Sequence, residues 1–121
     1  MKGKYLRGEI YLAELDKGIG SEQKGRRPVM IIQNNVGNKH SPTVVVAAIT
    51  SRMGKHNLPT HVRLSSSNLA KDSMVMLEQI RTIDKRRLKE YICKATAEEM
   101  ELIDGALLIS IGMDRREEDA I

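Results

Sequence analysis

The chain has 121 residues, enough for one domain spanning 1 to 121 around a single core, and a net charge of +4 from 20 Lys and Arg against 16 Asp and Glu, which is suggestive of an anionic partner but not diagnostic. One cysteine excludes an intramolecular disulfide and a cysteine-based zinc cluster, and three Tyr with no Phe or Trp disfavour a nucleic-acid platform built on stacked aromatics. The longest apolar run, Val44 to Ile49, is too short to cross a bilayer, and the expectation is a soluble cytoplasmic protein without a signal peptide.

The basic N-terminus leads into a first strand over Gly8 to Leu15. A glycine-punctuated polar loop, Gly20-Ser21-Glu22-Gln23-Lys24-Gly25-Arg26-Arg27, then runs without a break into an apolar strand over Pro28 to Asn34. Proline disfavours the helical region for the residue before it, so Arg27 is expected to be extended, with its guanidinium projecting from the root of that strand. A guanidinium there is well suited to phosphate: it stays charged and pairs bidentately with phosphate oxygens. The plain alternative is a surface arginine at a strand start.

Gly37-Asn38 and Ser41-Pro42 read as turns before a third strand over Thr43 to Ser51. Strand parity puts Val44, Val46, Ala48 and Thr50 on one face, leaving the Thr50 hydroxyl at the end of a row of small apolar side chains. Strands over Thr60 to Leu64 and Ser73 to Ile80 follow, the latter broken by Glu78 and Gln79, and Gln79 shares a face with Arg81. Asp84 to Leu88 suggests a short helical turn, and Glu90 to Lys94 a last strand that buries Cys93 as an inert thiol. Thr96 with Glu99 forms a capping-box pattern opening a C-terminal helix. Along it Met100, Ile103, Leu107 and Ile111 make one apolar stripe, and Leu102, Ala106, Ile109 and Met113 a second, which can serve a shared core or a second subunit. Short strands without long intervening helices argue for a mainly β fold, a small antiparallel barrel or strongly coiled sheet, closed by this helix.

The missing motifs narrow the chemistry. There is no HExxH, P-loop or GxGxxG, and His40, His56 and His61 lie in or beside loops without metal-ligand spacing. His61 alternates with Thr60 and Val62 and reads first as a half-exposed structural position. Phosphoryl chemistry without metal or cofactor points to RNA, whose 2′-hydroxyl can attack the adjacent phosphorus.

At Arg7-Gly8-Glu9-Ile10-Tyr11, Gly20 to Pro28, Val44 to Thr50, Leu58-Pro59-Thr60-His61-Val62 and Asp72 to Leu88, the sequence resembles the MazF/PemK family of ribosome-independent endoribonuclease toxins, Gram-positive members above all. The resemblance implies an SH3-like, CcdB/PemK-type barrel that forms a homodimer. It also implies metal-independent cutting of single-stranded mRNA to 2′,3′-cyclic phosphate and 5′-hydroxyl ends, and a MazE-like cognate antitoxin. It selects Arg27 over Arg26 and assigns Thr50 as catalytic, with Glu22 as the carboxylate suited to accept the 2′-hydroxyl proton. Ser21, Gln23, Leu58, Thr60, His61 and Gln79 are implied RNA contacts, and the cleavage site is expected to be UACAU-like, about five nucleotides read at unstacked base edges. Two departures stand out: Glu9 replaces a common aspartate, and Lys17 a common proline in the first loop. The alternative from another functional class is a non-enzymatic, CcdB-like toxin that binds DNA gyrase, because fold alone does not separate the two.

Overall fold

The computed structural model describes residues 4–15, 19–20, 25–52, 54, 58–65, 69 and 71–114. Six strands make one antiparallel sheet: β1 (Glu9–Leu15), β2 (Gly25–Ile31), β3 (Thr43–Thr50), β4 (His61–Leu64), β5 (Ser73–Asp84) and β6 (Leu88–Lys94), in the order β4-β5-β3-β2-β1-β6. A short helix, α1 (Asn35–His40), sits between β2 and β3, a 3-10 turn over Lys85–Arg87 joins β5 to β6, and α2 (Ala97–Ser110) is the last described element.

Alternation along the strands loads both faces with apolar side chains. Ile10, Met30, Ala47, Ile49, Val75 and Leu77 pack with Ile103 and Ala106 of α2, while Tyr11, Ala13, Val29, Ile31, Val44, Val46 and Ile83 form a second cluster that includes Leu88. Six described sheet side chains of Ile, Leu, Met or Tyr are below 2% exposed, among them Tyr11, Ile10 and Leu77, and each contributes about 1.5 to 3 kcal/mol of transfer free energy. Cys93 lies in the first cluster at 3% exposure, in keeping with an inert thiol.

The capping box at Thr96 is complete. Glu99 N–H donates to Thr96 Oγ1 at 3.1 Å and Thr96 N–H donates to Glu99 Oε1 at 2.9 Å. Glu99 Oε2 also accepts from Ser65 N–H at 2.8 Å, so one buried carboxylate starts α2 and ties it to the end of β4. Burial works against this charge, but the hydrogen bonds from Thr96 and Ser65 hold its pKa below the usual value. The buried stripe of α2 differs from expectation in taking Ala106 beside Ile103, with Met100 and Leu107 packed on the core. Ile111 lies past the helix end as its C-cap and is 54% exposed.

Boundaries shifted by one residue in β1, β3 and β4, β6 begins at Leu88 rather than Glu90, and the largest changes are in β2 and β5. β2 begins at Gly25, because its hairpin partner β1 pairs Leu15 with Gly25 and carries the ladder across Pro28. It stops at Ile31, where the N–H groups of Ile32 and Gln33 both donate to Val45 O. Asn34 then caps α1 by accepting from Gly37 N–H at 2.8 Å, and Asn38, expected in a turn, is buried and donates to Gln33 O at 2.9 Å. β5 continues past Ile80 to Asp84 because Thr43 to Val46 of β3 pair with that extension.

Candidate active site

Arg27 and Thr50 come together through strand register. The β2–β3 ladder pairs Ile31 with Val46, Met30 with Ala47 and Val29 with Ala48; continued two residues further, that register sets Arg27 opposite Thr50. Side chains alternate faces, so Arg27 lies on the face of Val29 and Ile31, and Thr50 on the face of Val44 and Val46. Those four valines and isoleucines belong to the same core cluster, so both residues stand on one face, at its solvent margin. Arg27 is exposed, and Thr50 is half-buried. Thr50 Oγ1 accepts from Arg52 N–H at 3.1 Å, a contact that fixes the hydroxyl oxygen without using its proton.

Arg26 has the opposite parity. It pairs in register with Glu14 and closes an ion pair of 2.8 Å to that carboxylate, whose pKa is lowered first by this hydrogen bond. The structure therefore gives the two adjacent arginines different faces and different partners. Arg27 is the third residue of β2, inside the strand rather than before it.

A second constellation forms around Glu78, which the sequence reading passed over as an interruption in a strand. Between the pairs Ala48–Met76 and Ala47–Ile80 the register shifts over Leu77, Glu78 and Gln79, which makes a bulge in β5. The bulge is held on both sides: Leu77 N–H donates to Thr60 O at 2.9 Å, and the Ser110 hydroxyl donates to Leu77 O at 2.5 Å. Held there, Glu78 accepts from the Thr60 hydroxyl at 2.7 Å and from His61 Nε2 at 2.8 Å. His61 Nδ1 accepts from Leu58 N–H at 3.2 Å, which assigns the ring proton to Nε2 and makes that nitrogen the donor to Glu78. Burial raises the Glu78 pKa, but the bonds from Thr60 and His61 outweigh it and leave the carboxyl below its usual value.

Leu58, Thr60, His61 and Gln79 are thus gathered at one join between β4 and the β5 bulge. Their surfaces differ: Leu58 is 47% exposed, Thr60 only 8%, and His61 and Gln79 are half-buried. The Thr60 hydroxyl is committed to Glu78. Ser21, Glu22 and Gln23 lie outside the described residues, as does Lys17. Glu9, the other departure, is buried and accepts from Leu6 N–H at 2.8 Å and from the Tyr11 hydroxyl at 3.2 Å; burial, with Glu9 alongside, pushes the Tyr11 phenol well above its usual pKa. A cavity of about 520 Å³ opens elsewhere, between Lys4 to Leu6 and α1, and none of the candidate residues lines it. Among the described residues no three His, Cys, Asp or Glu side chains are grouped to hold a metal ion, and no helix is long and apolar enough to cross a membrane.

Residues 6–111 match the family model described as PemK-like, MazF-like toxin of type II toxin-antitoxin system. Among solved structures, the fold is similar to an endoribonuclease from a mycobacterial species, with 27% identity, a TM-score of 0.76, and coverage of 94% of this chain and 96% of that one. It is similar also to a mycobacterial endoribonuclease in complex with its cognate antitoxin, at 28% identity and a TM-score of 0.75 over 90% of this chain and 96% of that one. MazF from Deinococcus radiodurans shares the fold at a TM-score of 0.78, with 24% identity over 91% of this chain and 98% of that one.

Proposed function

We infer that this chain, which belongs to the family of PemK-like, MazF-like toxins of type II toxin-antitoxin systems, is an endoribonuclease that cuts single-stranded mRNA through the RNA's own 2′-hydroxyl. The observation that carries the reading is the β2–β3 register, which pairs Val29 with Ala48 and, continued two residues, sets Arg27 opposite Thr50 on one sheet face, a forked cation and a hydroxyl donor at its margin. Two such donors flanking a phosphate stabilise the charge that gathers on its non-bridging oxygens as the 2′-oxygen attacks in line. The bond from phosphorus to the 5′-oxygen opens, leaving a 2′,3′-cyclic phosphate and a 5′-hydroxyl. Glu22 of the preceding loop accepts the 2′-hydroxyl proton in this scheme.

Recognition belongs to the neighbouring residues. Ser21 and Gln23 of the loop, Leu58, His61 and Gln79 contact unstacked bases near the scissile bond, and Thr60 shapes the wall from within by its bond to Glu78. The working form is a cytoplasmic homodimer. As with the mycobacterial endoribonuclease held by its antitoxin, the partner that restrains it is a MazE-like protein. An acidic or amphipathic disordered segment of that partner is drawn to the RNA-binding face that carries Arg27 by charge complementarity, so antitoxin and RNA compete.

The test is incubation of the purified protein with a long mRNA in excess EDTA, followed by mapping of the new 5′ ends. Discrete 5′-hydroxyl ends at a recurring short sequence are expected. Intact RNA, or cutting that EDTA stops, overturns the reading.

A further inference from the structure

We propose that the cavity between the N-terminal segment and α1 is an anchoring site for the antitoxin, which takes an acidic, aliphatic peptide segment and lies outside the path of the RNA. The inference rests on the toxin reading above and adds a second surface for its partner. Three structural relationships carry it.

The first is construction. One wall of the cavity is the chain from Lys4 to Leu6, and the other is α1. Arg7 pins the walls together: its N–H donates to Asn35 Oδ1 at 2.7 Å, its Nε to Ile32 O at 2.8 Å, and its guanidinium to Asp104 of α2 at 2.8 Å. Lys85 donates to Asn38 O and ties α1 to the turn after β5. The enclosed volume of about 520 Å³ lies within the roughly 300 to 1,000 Å³ usual for ligand sites. Walls bonded in this way need little ordering when a ligand enters.

The second is the lining. Tyr5, Leu6 and Val36 supply apolar surface, and Val36 is 72% exposed. Lys4 and Lys39 add two ammonium groups and His40 an imidazole, all exposed, and no acidic residue lines the cavity. Among the described residues, none of these three side chains is engaged in a hydrogen bond or ion pair. The lysines therefore suit incoming carboxylates, and the apolar surface suits an aliphatic side chain between them. A nucleic acid matches the charge but not the lining. The Tyr5 ring already has Tyr11 edge-on at 5.3 Å and Lys85 Nζ at 5.9 Å from its centroid, so a base does not find the open aromatic face on which it would stack.

The third is location. Arg27 and Ile31 are four residues apart on β2, roughly 13 Å at about 3.3 Å per residue, and α1 begins beyond Ile31. A peptide seated against α1 lies past the far end of β2 from Arg27, so it leaves the reacting phosphate uncovered.

A disordered antitoxin that met the toxin only where RNA lies would have to win each encounter against bound substrate. A segment held in a separate cavity makes that displacement intramolecular, with an effective concentration of millimolar order for a short linker. The antitoxin then docks on toxin that still carries RNA.

The experiment is a lysine footprint with the full-length toxin and its full-length cognate antitoxin. Reductive methylation is read by mass spectrometry for the toxin alone, saturated with antitoxin, or saturated with an RNA of the mapped cleavage sequence blocked by 2′-deoxy substitution. Methylation of Lys4 and Lys39 should fall about tenfold with the antitoxin and stay unchanged with the RNA. Undiminished methylation of both lysines in the antitoxin complex overturns the proposal, and so does protection by the RNA. Val36→Asp and Lys39→Glu should each weaken antitoxin binding about tenfold, while single-turnover RNA cutting without antitoxin stays within about twofold. Unchanged antitoxin affinity in either folded variant also overturns it. If thermal melting shows that one of them is not folded, Val36→Ser or Lys39→Gln is read in its place by the same criterion. A toxin that cuts RNA and is silenced by its antitoxin with this cavity still reactive defeats this inference alone, whereas a protein that cuts no RNA defeats the function beneath it.

Discussion

Arg26 lies opposite Glu14 on the neighbouring strand and closes an ion pair with it at 2.8 Å, while the next residue, Arg27, pairs with Ala13 and faces the other way. One peptide step therefore separates an arginine that decorates a strand pair from one on the face that Thr50 shares, set opposite Thr50 when the β2–β3 register is continued two residues. The pair is exposed, with side chains 55% and 52% accessible, so it contributes little to stability.

Removing the two arginines one at a time should separate these roles. Arg27→Ala and Thr50→Ala are each expected to lower the single-turnover cleavage rate by roughly 10² to 10³, the usual loss for one transition-state donor, with the thermal midpoint nearly unchanged. Arg26→Ala should cost only a few-fold. A larger loss for Arg26→Ala at equal stability would show that the register assigned to the site is wrong.

The nucleophile is tested on the substrate. Replacing the nucleotide before the scissile bond by its 2′-deoxy form should abolish cutting while binding stays within a few-fold. Rapid cutting of the deoxy substrate would mean that water, not the RNA, attacks.

Glu78 gives a prediction about recognition and pH. Glu78→Gln keeps the size of the side chain but weakens its bonds with Thr60 and His61, and should cost about 1 to 2 kcal/mol and blur the cleavage motif more than it slows the chemical step. Its folded-state pKa lies below the unfolded value of 4.5. The carboxylate's contribution is therefore complete above about pH 4.5 and is lost as the pH falls through the depressed folded value. Denaturation midpoints of the unaltered protein and Glu78→Gln should converge in that acid range; a constant gap down to the lowest pH would remove the carboxylate from the account.

Glu99 should behave as a structural anchor. Glu99→Ala removes the acceptor of Thr96 N–H and Ser65 N–H together and is expected to destabilise the fold by about 2 kcal/mol, with the cleavage rate per folded molecule retained. Chemical denaturation measures it, and a neutral effect would show that the capping box contributes nothing here. Its pKa is also lowered, so this stabilisation too fades as the pH drops below the unfolded value.

Much of this site could be read from local pattern alone. Alternation in Thr43 to Thr50 and the proline after Arg27 put the hydroxyl and the guanidinium at strand margins, because side-chain direction along a strand repeats every two residues whatever the strand pairs with. The start of α2 was equally legible, since Thr96 and Glu99 satisfy each other's backbone within one turn. The facing of Arg27 and Thr50 was not, because it depends on which residues of β2 and β3 share a ladder, and the resemblance to a known family stood in for that knowledge. The helix α1 escaped notice because its stability comes from Asn34 and Asn38, side chains that read locally as turn formers. Glu78 was the largest omission. Its role exists only because a bulge in β5 turns it towards Thr60 and His61, residues 18 and 17 positions away in the chain, and a bulge arises when two strands of unequal length must keep the same faces buried. Sequence periodicity sets which way each side chain points along its own strand; pairing between strands, driven by burial on both faces of the sheet, decides what it meets.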